Sequence, residues 1–273
     1  PPVAQDLVVT FYEDLGGTVT LIGSDVDTPD SSLTFDIVTD PSHGSLTQMN
    51  RALESWTYTP HSNYNGSDSF TYSVSDGESS DTATVSITVT AVNDAPEFTS
   101  DPITEAVEGS AYNYTATASD VDVGDVLTFD TIILPGWLNF DGDATISGTP
   151  TDDNVGQHTV VLTLSDGEET VEQSFQITVE NTNDPPVAED LAVTFQEDLG
   201  GTLTLIGSDI DTPDDELTFD IIDSTSHGSL TPMNRALEYL TYAPHTNFFG
   251  ADSFSYSVSD GELSDTATVS ITV

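Results

Sequence analysis

Apolar and polar residues alternate with a period of two along most of the chain. Thr82-Ala83-Thr84-Val85-Ser86-Ile87-Thr88-Val89, Phe70-Thr71-Tyr72-Ser73-Val74 and Ser174-Phe175-Gln176-Ile177-Thr178-Val179 do so without a slip. This spacing predicts half-buried β-strands, because successive side chains of a strand point to opposite faces. Turn signals punctuate the runs at Leu15-Gly16-Gly17, Thr28-Pro29-Asp30, Ser42-His43-Gly44, Asn65-Gly66 and Asp76-Gly77. No segment has a convincing helical period. About seven short strands per 90 residues predict an all-β array of immunoglobulin-like Greek-key sandwiches.

The pattern is written twice. Residues 1–89 and 185–273 align without a gap at 68 of 89 positions. Acidic residues survive the copying, as in Glu13/Glu197, Asp14/Asp198, Asp25/Asp209, Asp27/Asp211, Asp30/Asp214, Asp68/Asp252 and Asp76/Asp260. Apolar positions drift instead, as in Val26/Ile210, Trp56/Leu240 and Tyr64/Phe248. The middle segment is a relative rather than a copy, keeping Ser119-Asp120-Val121-Asp122 and Ser165-Asp166-Gly167 but adding Leu134-Pro135-Gly136-Trp137-Leu138 and Ser147-Gly148-Thr149-Pro150. Three modules are therefore expected, at 1–92, 93–184 and 185–273, in an elongated tandem. Short junctions, Asn93-Asp94-Ala95-Pro96 and Asn183-Asp184-Pro185-Pro186, should restrict swing between them. Pro1-Pro2 repeats what Pro185-Pro186 does in mid-chain, as expected of a segment cut from something longer.

Charge changes the picture next. Forty-eight acidic residues face two arginines and no lysine, a formal net charge of −46. Such a surface repels phosphate backbones and anionic lipid, which argues against nucleic-acid partners. No apolar run reaches the roughly 18 residues of a membrane helix, so direct membrane insertion is not expected. With no cysteine, disulfides and thiolate metal sites are excluded. Acidity of this kind also serves as a plain solubility device in a salty exterior, and Asp-Gly and Asn-Asp-Pro suit turns on their own.

A Glu at the end of the first strand, an Asp-x-Asp after the second, an Asp-Gly before the last and Asn-Asp at the junction resemble the cadherin repeat and its bacterial relatives. The outer modules resemble bacterial cadherin-like tandem repeats through Tyr58-Thr59-Pro60 and the run Asn63–Gly77. The middle one is similar to the dystroglycan-type cadherin-like, or immunoglobulin-like, domain through its Leu-Pro-x-Trp-Leu and Ser-Gly-Thr-Pro strings.

The resemblance implies Ca²⁺ at the junctions, and the donor set suits a hard cation that takes six to eight oxygens. At the first junction it implicates Glu13, Asp14, Asp68, Asn93, Asp94, Asp120, Asp122 and Asp166. At the second it implicates Glu108, Asp152 or Asp153, Asn183, Asp184, Asp209, Asp211 and Asp260. Asp25, Asp27 and Asp76 would face an upstream neighbour, and Glu197, Asp198 and Asp252 a downstream one. Two carboxylates 4 Å apart repel by about 4 kcal/mol at an effective dielectric near 20, so several converging in one crevice call for a cation. Departures from the animal repeats, Ala91 and Asn181 where an Asp is usual and no Leu-Asp-Arg-Glu segment, argue for one or two ions per junction. Asp120–Asp125 is no EF-hand, since glycine falls at the fifth position and no Glu closes the loop.

The expected function is a calcium-stiffened extender or adhesion segment of a bacterial cell-surface or secreted protein. Its expected partners are calcium ions, the neighbouring repeats, and a polysaccharide or another surface protein. Catalysis is not expected, because no nucleophile motif, phosphate loop or Schiff-base lysine is present. The alternative is a calcium-dependent carbohydrate-binding module. Trp56 and Trp137 read as core, while Tyr239 and Phe249, which replace Ser55 and Asn65, are better placed to stack on a sugar. Arg51 and Arg235 at equivalent hairpin positions either pair with Glu54 and Glu238 or anchor an acidic sugar.

Overall fold

The computed structural model describes residues 1–50, 54–232 and 239–273. Arg51, Arg235 and Glu238 lie outside them, so the hairpin pairing does too. Alternation becomes two-layered sandwiches, each closing one apolar face of a four-stranded sheet against a three-stranded one.

In the first sandwich the larger sheet orders Leu7–Tyr12, Ser80–Thr90, Gly66–Ser75 and Thr34–Thr39. Leu7–Tyr12 runs parallel to Ser80–Thr90, and the other pairs are antiparallel. Gly17–Thr20, Ser55–Pro60 and Gly44–Asn50 form the opposing sheet. The middle sandwich repeats the plan with Glu105–Val107, Thr170–Glu180, Gly156–Ser165 and Thr128–Ile133 against Tyr112–Thr115, Thr145–Gly148 and Leu138–Phe140. The last one does so with Leu191–Thr194, Ser264–Thr272, Ala251–Ser259 and Thr218–Asp223 against Gly201–Thr204, Tyr239–Pro244 and Gly228–Pro232. Helical structure among the described residues is limited to 3-10 turns at Asp30–Ser32 and Asp152–Asn154.

Each sandwich has its own core. Tyr58, Phe70, Tyr72, Val74, Val85 and Ile87 are buried in the first, and Tyr242, Phe254, Tyr256, Val258, Val269 and Ile271 repeat them in the third. Ile146, Val160, Leu162 and Ile177 centre the middle one. Trp56 packs against the first core and Trp137 against the second, edge-on to Tyr112 at 5.7 Å. Both indoles are thus packing residues. Tyr239 and Phe249 stand outside, Phe249 at 77% exposure.

Two details aim the loops that matter for function. The Tyr72 hydroxyl lies 2.6 Å from the Gln5 carbonyl and 2.7 Å from that of Ile22, tying the first residues to the segment entering Asp25; Tyr256 does the same with Glu189 and Ile206. At the opposite end, Gly16 (φ +61°) turns the chain where an added Cβ would stand 2.2 Å from the Tyr58 carbonyl oxygen. Only glycine permits that approach.

Candidate metal centres at the junctions

Glu13 continues the inward parity of Leu7, Val9 and Phe11, and for that reason it is buried, at 1% exposure. Its backbone N–H donates to the Thr90 carbonyl, completing the parallel pair of strands. Its Oε1 accepts the N–H of Val92 at 2.8 Å, and Oε2 is buried with no partner. Asp14 (φ +57°) is exposed and accepts the Asn63 N–H through Oδ1.

From the other side comes the Asp-x-Asp loop. Asp120 Oδ1 accepts the Asp122 N–H at 2.9 Å, while its Oδ2 is buried and unpartnered. Asp209 repeats this at the head of the third sandwich, and Asp25 directs its Oδ1 in the same way at the head of the first. The linker then joins in: Asp94 N–H donates to Asp122 Oδ2 at 2.8 Å, and the Asn93 amide to Asp166 Oδ2 at 2.9 Å. Burial, with the charges of Asp14, Asp122, Glu13 and Asp120, raises the Asp94 carboxyl above its ordinary pKa. Five carboxylates, from two sandwiches and the linker between them, therefore act on one another's charge at this junction.

The second junction is built alike. Asp184 N–H donates to Asp211 Oδ2 at 2.7 Å and the Asn183 amide to Asp260 Oδ2 at 2.8 Å. Glu108 accepts the Thr182 N–H, as Glu13 accepts that of Val92. Carboxylate oxygens of Glu108, Asp152 and Asp184 lie within 4.8 Å of one another. Burial and then the neighbouring Asp152, Asp211 and Asp209 raise Asp184. For Glu108 the Thr182 N–H pulls downward, but burial, Asp152 and Asp184 outweigh it. Asp152 belongs to this group, while the adjacent Asp153 is exposed and outside it.

Asp68 requires a correction. It faces inward from Gly66–Ser75 and is wholly engaged by its own module: Oδ1 accepts the N–H groups of Ser42 and Ser69, and Oδ2 accepts His43 N–H and the Tyr58 hydroxyl at 2.9 Å. Asp252 repeats the network with Ser226, His227, Ser253 and Tyr242. Neither has an oxygen left to lend to a junction. Asp125, in a loop that is no EF-hand, has an oxygen within 4.8 Å of Asp120 and Asp166. The legible signal was Gly124, whose φ of +115° turns the loop back before Asp125.

The chemistry of this donor set can be tested for fit. Among the described residues, buried side-chain oxygens with neither a hydrogen-bond nor an ion-pair partner are Glu13 Oε2, Asp94 Oδ2, Asp120 Oδ2, Asp152 Oδ1 and Asp209 Oδ2, while Asp25 Oδ2 meets the Pro1 amino terminus at 3.4 Å. All are carboxylate oxygens. A buried anionic oxygen without a donor is costly unless a cation meets it. Hard oxygen ligands in a flexible arrangement suit Ca²⁺ more than a transition metal, so the residues fit the ion.

A model of the bacterial cadherin-like domain matches residues 1–91, one described as "Putative Ig domain" matches 95–180, and one of the bacterial Ig domain matches 183–272. The chain is a tandem of bacterial cadherin-like and immunoglobulin-like domains. Such domains are non-catalytic modules typical of extracellular or surface proteins. No curated protein sequence matches the chain. Among solved structures, one described as PcdhgB3 EC1-4 is similar over 100% of this chain and 75% of its own, with a TM-score of 0.58 at 14% identity, which speaks for the fold. Mouse protocadherin-24 EC1-3 matches over 97% of this chain and 96% of its own (TM-score 0.49, 17% identity). An endo-fucoidan hydrolase of glycoside hydrolase family 107 matches over 98% of this cadherin-like chain (TM-score 0.32, 21% identity), but the chain spans only 43% of that enzyme's length. No helix among the described residues is long and apolar enough to cross a membrane.

Proposed function

We propose that this cadherin-like tandem is a calcium-stiffened extender or adhesion segment of a bacterial cell-surface or secreted protein, with Ca²⁺ held at both junctions. The observation that carries the reading is the set of buried, unpartnered carboxylate oxygens contributed by successive modules and their linkers. At the first junction the ligands would be Glu13, Asp14, Asp94, Asp120, Asp122 and Asp166, joined by Asp125. At the second they would be Glu108, Asp152, Asp184, Asp209, Asp211 and Asp260. Asn93 and Asn183 orient Asp166 and Asp260 through their amides. The bound ion would supply positive charge that turns mutual repulsion into shared coordination. Ions that bind only the aligned state stabilise it by mass action.

Modules 1–92, 93–184 and 185–273 would then behave as one rod in calcium and as beads on short hinges without it. Small-angle scattering and thermal melting in millimolar calcium and in chelator test this. Identical profiles and melting temperatures in the two conditions would defeat it.

A second reading rests on Phe249, which is 77% exposed and lines a surface recess with Phe195, Gln196 and Glu197. It gives the third module an aromatic platform for a polysaccharide. A glycan array run with and without calcium separates a sugar-binding module from a spacer.

A further inference from the structure

The two junctions are not equivalent. Three buried oxygens lack a partner at the first, on Glu13, Asp94 and Asp120, against two at the second, on Asp152 and Asp209. Glu13 is itself 1% exposed, and its Oε2 is buried without a partner while Oε1 accepts the Val92 N–H. The linkers differ as well. At the second junction the Asn181 amide donates to Asp211 Oδ1 at 3.0 Å while the Asp184 N–H occupies Oδ2. Both oxygens of Asp211 are thus engaged by neutral donors of the protein. At the first junction the matching residue is Ala91, which has no side-chain donor, and the Asp122 carboxylate accepts only through Oδ2.

We infer that the first junction is the high-affinity calcium site and that Asn181 is a built-in latch, holding the second junction partly closed without an ion and lowering its affinity. The inference rests on the calcium reading above. The physics is competition: an ion entering the second junction shares Asp211 Oδ1 with the Asn181 amide, which draws on its charge and fixes its direction, whereas at the first it meets an Asp122 oxygen with no protein donor. The Asn181–Asp211 bond is exposed, and a net hydrogen bond of ordinary strength is worth enough to change an affinity by roughly three- to tenfold. The consequence is graded behaviour, in which falling calcium would loosen the second and first junctions in that order while the latch keeps the second from opening fully.

Calorimetric titration of the calcium-stripped whole chain with calcium chloride tests this. The wild type should give a tight and a weak phase at least tenfold apart. Glu13→Gln should abolish the tight phase and Glu108→Gln the weak one. Asn181→Ala should tighten the weak phase by roughly three- to tenfold, and Ala91→Asn should weaken the tight phase by a similar factor. Far-ultraviolet dichroism confirms that each variant is folded. One class of equal sites, or phases unmoved by both Asn181→Ala and Ala91→Asn, overturns the inference while leaving calcium binding intact. Absence of any binding heat in the wild type, together with no calcium-dependent change in melting, overturns the underlying calcium reading as well.

Discussion

The Asn93 side-chain amide donates to Asp166 Oδ2 at 2.9 Å, fastening the first linker to the sandwich that follows it. The sandwich that precedes it holds the same linker by another group, since Glu13 Oε1 accepts the Val92 N–H at 2.8 Å. Consecutive linker residues are thus gripped from opposite sides, and Asp94, the next in the chain, keeps an unpartnered buried oxygen. Protein hydrogen bonds set the position of the junction, but they leave its charge uncompensated.

Replacing Asp120 and Asp122 together by alanine should therefore remove most of the calcium-dependent stabilisation of the first junction and none of it at the second. An ion present at a hundred times its dissociation constant contributes about 2.7 kcal/mol. The melting transition of the variant should respond to calcium only through the second junction, as read by differential scanning calorimetry. An undiminished response would clear these two residues of a ligand role.

Asp68 behaves differently. Asp68→Ala should destabilise the first module by about 3 kcal/mol or more, because the Ser42 and His43 N–H groups and the Tyr58 hydroxyl would lose a buried acceptor. Calcium affinity of the refolded protein should be unchanged. Denaturant unfolding and calcium titration of the same sample separate these effects, and a large drop in affinity with stability retained would return Asp68 to the ligand set.

That distinction shows what could be read beforehand. Alternation revealed the strands, and the repeated acidic residues marked the ends of the modules, because both depend on local pattern. Whether a given carboxylate is free or engaged depends on donors distant in sequence, such as Tyr58 and Ser42 for Asp68. Even so, parity held a warning: Asp68 falls on the inward face with Phe70, Tyr72 and Val74. The membership of Asp152 rather than Asp153 rests on the 3-10 turn Asp152–Asn154, too short to leave a periodic signature. Asp125 is not legible from spacing, because it is the turn at Gly124 (φ +115°) that brings it back toward Asp120 and Asp166.

Acid should act through Asp68 and Asp252. Burial pushes their carboxyls up, but the N–H groups of Ser42, Ser69 and His43 with the Tyr58 hydroxyl, and their counterparts around Asp252, hold both below the ordinary value. A carboxyl with a lowered folded pKa contributes stability that is complete above its unfolded value, about 4, and is lost as pH falls through the folded one. Unfolding midpoints in chelator should thus drop steeply below about pH 4. In Asp68→Asn with Asp252→Asn that drop should flatten, and an unchanged slope would contradict the assignment.

Gly16→Ala should weaken both the module and the first junction. A side chain at φ +61° costs about 1–2 kcal/mol by itself, and the Tyr58 carbonyl must also move aside. The turn so displaced carries Glu13 and Asp14, so calcium affinity of the first junction should fall along with the melting temperature. The same change at Gly77 (φ +95°), where an added Cβ meets nothing within 4 Å, should show the backbone cost without steric displacement.

The most direct test is a crystal grown in ample calcium, with anomalous scattering used to locate the ions. The account predicts peaks between successive sandwiches, coordinated by Glu13, Asp94 and Asp120 at the first junction and by Asp152, Asp184 and Asp209 at the second. Junctions without a peak, their carboxylates turned outward to solvent, would contradict it.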